Sequence, residues 1–130
     1  MSSGRETVLV VDDNAMNLEL ATELLQAAGF EVLQAERAVE GIAIARTHRP
    51  DVILMDIGLP GMDGYSALRE LRADEITRGI PMIALTAFAM DDDKLRALDA
   101  GFDSFITKPI QTRSFTSTVR RIIDASKRSE

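Results

Sequence analysis

Two rhythms of hydrophobic and polar positions alternate along the chain. Short apolar runs rich in β-branched residues are separated by longer segments in which apolar residues recur every three or four positions. The first kind suits strands buried on both faces of a parallel sheet, and the second suits the helices that cross between such strands. Five strand–helix pairs follow. Thr7–Val11 is the first strand; Leu18, Ala21, Leu25 and Ala28 then form one helical stripe that Gly29 stops. Phe30–Leu33 is the second strand. Ala38–Thr47 reads as a helix that Gly41 weakens by about 1 kcal/mol relative to Ala and that Pro50 limits. Asp51–Asp56 is the third strand, and the turn-rich stretch Ile57–Gly64 leads into a helix over Tyr65–Ala73. Pro81–Thr86 is the fourth strand, with its proline at the first position, where the missing N–H is tolerated. A helix over Met90–Ala100 stops at Gly101, and Phe105–Thr107 is a short last strand. Lys108-Pro109 then breaks the chain, and a helix over Thr112–Ala125 turns Phe115, Val119 and Ile122 to one face.

The pattern gives one α/β domain over 7–125 between an N-terminal tail, 1–6, and a C-terminal tail, 126–130, without repeats or linkers. A length of 130 residues fits a single domain, and 45% hydrophobic residues suffice for a core without staples. Cysteine is absent, which excludes disulfides, thiolate zinc sites and thiol catalysis and agrees with a reducing compartment. No apolar run approaches the roughly 18 residues of a membrane span. Met1–Glu6 lacks a signal-peptide stretch, so a cytoplasmic protein is expected. Fifteen Lys and Arg against 21 Asp and Glu leave a net charge of −6, which repels phosphate backbones, so nucleic acid is not an expected partner.

The position of a few acids matters more than their excess. In an open parallel α/β sheet, ligands bind beyond the carboxyl ends of the strands. Asp12 and Asp13 follow strand one, Asp56 ends strand three, Thr86 ends strand four and Lys108 follows strand five. Four strand ends thus aim polar chemistry at one place. Three carboxylates disfavour one another's ionisation unless positive charge intervenes. With Lys108 they leave a double negative charge, which one divalent cation neutralises, and an all-oxygen, partly hydrated site suits Mg²⁺. Asp13 and Asp56 are expected as direct ligands, with Asp12 holding a metal-bound water and the Gly58 carbonyl as an extra ligand. Asp56 on the central strand is the expected nucleophile toward a phosphoryl group, with Lys108 and the Thr86 hydroxyl supplying donors. Each residue also has a plain alternative: adjacent acids before a helix serve as N-caps, Thr86 as a β-former and Lys108 as a solvated cation. All of these would have to hold at four strand ends together.

The elements Val10-Val11-Asp12-Asp13-Asn14, Met55-Asp56-Ile57-Gly58-Leu59-Pro60-Gly61-Met62-Asp63-Gly64, Leu85-Thr86-Ala87 and Phe105-Ile106-Thr107-Lys108-Pro109 closely resemble the receiver domain of two-component response regulators. The resemblance spans about Thr7 to Ala125. It implies a flavodoxin-like, doubly wound (βα)₅ fold with strand order 2-1-3-4-5. It also implies phosphorylation of Asp56 by a histidine kinase or histidine phosphotransfer protein, a Mg²⁺ site on Asp12 and Asp13, contact of Lys108 with the phosphoryl group, and a conformational switch of Thr86 and Phe105. Thr86-Ala87-Phe88-Ala89-Met90 without an output domain looks most like single-domain regulators of the DivK type, which act in bacterial cell-cycle control. Receivers of hybrid histidine kinases carry similar segments and stand as the alternative.

The expected output is an altered surface on the last two βα units, read by a protein partner, from a monomer or weak dimer that turns over no separate substrate. Phosphorylation adds charge and acceptor oxygens at Asp56, and a turn of the Thr86 hydroxyl toward them would open space for Phe105. Phe88, Met90, Leu95 and Leu98 offer a docking face beside Phe105, with core packing as the competing role of some. Gly58 and Phe88, two residues after Asp56 and Thr86, cannot orient water, so a long-lived aspartyl-phosphate is expected. His48, the one histidine, reads as a helix C-terminal residue, and Asp91-Asp92-Asp93 as helix N-terminal acids. An aspartyl-phosphate hydrolase of the haloacid dehalogenase type needs Asp-x-Asp, whereas these acids are adjacent. A flavodoxin would put a phosphate loop where Asp12-Asp13-Asn14 would repel it.

Overall fold

The computed structural model describes residues 6–57, 64–86, 91–107, 110 and 112–128. Five strands, β1 (Thr7–Val11), β2 (Glu31–Ala35), β3 (Val52–Asp56), β4 (Met82–Thr86) and β5 (Ser104–Thr107), alternate with helices α1 (Ala15–Ala27), α2 (Ala38–His48), α3 (Gly64–Ala73), α4 (Asp91–Ala100) and α5 (Thr112–Arg128). The strands form one parallel sheet in the order β2-β1-β3-β4-β5, as the sequence resemblance implies.

The pleat sorts the apolar runs onto two faces. Leu9, Val11, Ile53, Met55, Met82 and Ala84 pack with Ala38 and Ala45 of α2, Ala67, Leu68 and Leu71 of α3, and Ala97 of α4. Val8, Val10, Val52, Leu54, Ile83 and Leu85 pack with Leu18, Ala21 and Leu25 of α1 and with Phe115, Val119 and Ile123 of α5. The central strands β3 and β4 are buried throughout because both faces are covered.

The sequence reading is corrected at several points. Ile123, not Ile122, completes the buried stripe of α5; Ile122 packs only at its margin. Ala28 is exposed because α1 ends before it, and Gly29 with φ 96° reverses the chain there. β2 lies two residues later in its C-terminal reach, through Gln34 and Ala35, since an edge strand tolerates a polar position. Gly41 has a packing reason: a Cβ there would stand 2.7 Å from Val11 Cγ2, so α2 sits close on β1. His48 is the exposed last residue of α2, followed by Arg49 in the left-handed region.

Candidate functional site

Four polar or charged side chains are buried among the described residues: Asp12, Asp56, Thr77 and Thr86. Thr77 has a structural task, donating its hydroxyl hydrogen to the Leu71 carbonyl at 2.7 Å. The other three stand at the carboxyl ends of β1, β3 and β4. Burial of a polar side chain costs free energy unless something satisfies it, so such residues collected at one edge of a sheet mark a site.

Asp12 continues the line of β1. Its N–H donates to Ala35 O at 3.0 Å, one step beyond the β1–β2 register, and its Oδ1 accepts the N–H of Asn14 at 2.9 Å. Asn14 is the N-cap of α1: its side-chain oxygen accepts from Met16 N–H at 3.0 Å and Asn17 N–H at 3.1 Å. The capping task that could have explained the two acids therefore falls to Asn14. Sequence reasoning missed this, although an Asn directly before the helix was the signal. Asp56 ends β3, and the next residue, Ile57, donates its N–H to Leu85 O at 3.0 Å, tying that strand end to β4.

Asp12, Asp13 and Asp56 each offer a carboxylate oxygen, and the three oxygens lie within 4.8 Å of one another. Asp12 and Asp56 are buried and Asp13 is exposed. The donor set is hard and all oxygen, and one member faces water. It fits a divalent cation that keeps part of its hydration, which is the habit of Mg²⁺.

Thr86 is the last residue of β4 and lies opposite Thr107, the last of β5. Phe105 lies opposite Ala84 and packs, half-buried, against the core shared with α2, α3 and α4. Sequence-predicted residues Asp12, Asp13, Asp56 and Thr86 thus come to one edge, with Phe105 two residues below the end of its strand. Lys108, Gly58, Phe88 and Met90 lie outside the described residues. Leu95 and Leu98 of α4 are exposed at 57% and 41%. Among the described residues no helix is long and apolar enough to cross a membrane.

The sequence profile of the response regulator receiver domain matches residues 8–120. The polar-differentiation response regulator DivK of Brucella anthropi is 40% identical over 115 residues, covering 88% of this chain and 94% of that one. A CheY-like response regulator receiver domain protein from Methanospirillum hungatei superposes with a TM-score of 0.88 at 28% identity, over 98% of this chain and 100% of the other. The receiver domain of the sensor histidine kinase PA1611 from Pseudomonas aeruginosa superposes with a TM-score of 0.85 at 36% identity, over 93% and 99%; that protein was solved with magnesium in its active-site cleft.

Proposed function

From the premise that this chain belongs to the response regulator receiver domain family, we propose that it acts as a phosphoryl-accepting switch, with Asp56 as the acceptor. The observation that carries this reading is the meeting of Asp12, Asp13 and Asp56 within 4.8 Å at the ends of β1 and β3, beside the buried Thr86. The donor would be a phosphohistidine on a histidine kinase or a histidine phosphotransfer protein. An Asp56 carboxylate oxygen attacks phosphorus in line; the new P–O bond forms as the P–N bond breaks, and the departing imidazole keeps the electron pair and takes up a proton.

The chain's residues divide this work. Asp12, held by its Asn14 hydrogen bond, and Asp13 from the solvent side would hold Mg²⁺ together with Asp56, and the Gly58 carbonyl is proposed as a further ligand. Bound there, Mg²⁺ supplies positive charge against the phosphoryl oxygens. Lys108 supplies a second cation and Thr86 a hydroxyl donor. With no substrate of its own to turn over, the domain is an acceptor rather than an enzyme in this reading.

Output is assigned to the face of α4, β5 and α5, where α4 carries exposed Leu95 and Leu98 and β5 carries the half-buried Phe105. The DivK likeness, which spans 94% of that relative, favours a stand-alone bacterial response regulator of polar differentiation and the cell cycle; in our reading it is cytoplasmic, monomeric or weakly dimeric, and signals by protein contact. The likeness to the PA1611 receiver favours a second reading, a module of a hybrid histidine kinase. Incubation with Mg²⁺ and a panel of phosphorylated kinases, with Asp56→Asn as control, tests the common part. Transfer that depends on Asp56 is expected; no transfer from any kinase or small acyl phosphate overturns the reading.

A further inference from the structure

Gly64 opens α3, is buried, and has none of the positive φ that would by itself call for glycine. Its need for a bare Cα is spatial. A Cβ there would stand 2.8 Å from the carbonyl oxygen of Asp56, 2.8 Å from Ile57 Cα and 3.3 Å from the carbonyl carbon of Asp56. All three are backbone atoms, so no rotamer change can make room. Gly64 also donates its N–H to Ile57 O at 3.2 Å, while Ile57 N–H is held on the other side by Leu85 O at 3.0 Å. Ile57 is thus held by β4 at its N–H and by the first residue of α3 at its carbonyl, and the peptide joining it to Asp56 lies against the Gly64 Cα.

We infer that Gly64 is a positioning residue for the acidic site: its bare Cα lets α3 close on the Asp56 backbone and so sets where the Asp56 carboxylate stands relative to Asp12 and Asp13. The inference rests on the reading of Asp56 as phosphoryl acceptor only for its functional consequence; the geometric claim concerns the cation site. Any side chain at position 64 must displace the Asp56 peptide, and the carboxylate moves with it. Groups that orient a metal ligand from behind typically change metal affinity by about 10- to 100-fold when lost.

The test compares wild type, Gly64→Ala and a core variant on α5, Val119→Ala, by calorimetric Mg²⁺ titration, thermal melting and Asp56 phosphorylation from acetyl phosphate. Gly64→Ala is expected to bind Mg²⁺ about 10- to 100-fold more weakly, while Val119→Ala melts lower yet keeps its Mg²⁺ affinity. Unchanged Mg²⁺ affinity in folded Gly64→Ala overturns the inference. Where Gly64→Ala does not fold, wild-type amide resonances decide: Mg²⁺ should shift Gly64 and Ile57 with Asp12 and Asp13, and an unmoved Gly64 overturns it. Wild type that binds Mg²⁺ but takes no phosphoryl group sinks the acceptor reading and leaves the positioning role to the affinity comparison. Wild type that binds no Mg²⁺ overturns both.

Discussion

Arg120 on α5 grips Glu6, ahead of β1, through two parallel hydrogen bonds, Nη1 to Oε2 at 2.9 Å and Nη2 to Oε1 at 2.8 Å. The guanidinium also lies 4.8 Å over the Phe30 ring, and Asp124 stands 3.4 Å from Nη1. One side chain thereby joins the chain's start, the α1–β2 turn and the last helix. Fork-to-fork geometry and the aromatic face make this a site that Lys cannot replace. Solvent reaches the Arg120 side chain, 44% exposed, so its effect is modest. Arg120→Met should cost about 1 kcal/mol and lower the melting temperature by roughly 3–5 °C. A high-salt melt of wild type should recover part of the difference. The hydrogen bonds that Arg120 donates to Glu6 raise the Arg120 pKa above the ordinary guanidinium value, so its contribution is complete at neutral pH and fades only in strong alkali.

Arg72 is the more demanding contact. Its Nη1 donates to Arg78 O at 2.8 Å and Ile80 O at 2.6 Å, and its Nη2 to Gly101 O at 3.3 Å and Asp103 Oδ2 at 3.0 Å. Asp103 Oδ2 also accepts Met82 N–H at 2.8 Å. The last turn of α3 is thereby stapled to the starts of β4 and β5. Arg72→Met takes the guanidinium donors from three carbonyls and leaves the Asp103 carboxylate with the Met82 N–H but without its cation, a loss of about 2–3 kcal/mol after allowance for solvent access. Arg72→Lys should restore little, since one ammonium cannot span four acceptors. Urea denaturation of the two variants measures both.

Much of this architecture was legible in the chain because β3 and β4 are apolar on both faces and only a parallel sheet with helices on each side asks for that. The acids were legible for a related reason: with strands located, Asp12, Asp13, Asp56 and Thr86 fall at the end where such sheets bind ligands. What escaped the reading depends on angles and approach distances. Ile122 and Ile123 are adjacent, and a repeat of 3.6 residues from Val119 lands between them. Gly41 looked like a defect in α2 until Val11 filled the space beside it, and Gly64 looked like loop punctuation until its neighbours proved to be the Asp56 backbone.

Three carboxylates gathered without a cation repel one another in the folded state, so the site should oppose stability until it binds metal. Asp13→Asn removes one charge from its solvent side. In EDTA this variant should melt a few degrees above wild type. Mg²⁺ should raise the wild-type melting temperature, by about 2.7 kcal/mol of stabilisation at a hundred times its dissociation constant, and raise that of Asp13→Asn far less. A calorimetric scan with and without Mg²⁺ checks both signs; equal responses of the two proteins would remove Asp13 from the ligand set.

The residues two places beyond Asp56 and Thr86 are Gly58 and Phe88, whose side chains carry no polar group with which to orient a water toward the proposed aspartyl-phosphate. Hydrolysis should accordingly be slow, over minutes or longer at neutral pH. Gly58→Asn, which adds a polar amide, should shorten the lifetime severalfold. Decay of the phosphorylated form on a phosphate-affinity gel gives the rate, and loss within seconds in wild type would refute the expectation.

Thr86 and Phe105 lie on neighbouring strands, with Ala84, not a bulky side chain, directly opposite the ring. If acceptor oxygens arrive at Asp56 as proposed, the Thr86 hydroxyl should turn toward them and draw the β4 end with it. Phe105 carries no hydroxyl, so it can bury fully without a hydrogen-bond partner. Inward rotation is therefore expected on addition of beryllofluoride and Mg²⁺. The sole tyrosine gives a second reporter. Tyr65 meets the Phe102 ring edge-on at 5.9 Å and lies under Arg96 of α4 at 5.4 Å, so a shift of α4 alters its surroundings in a chain without tryptophan. Wild type should show changed Phe105 ring resonances together with changed tyrosine fluorescence. Thr86→Val should still bind the mimic yet lose most of both changes, because the carboxylates remain and a methyl replaces the hydroxyl alone. Identical Phe105 environments with and without the mimic in wild type would reduce that ring to core filling and leave the output face without this switch.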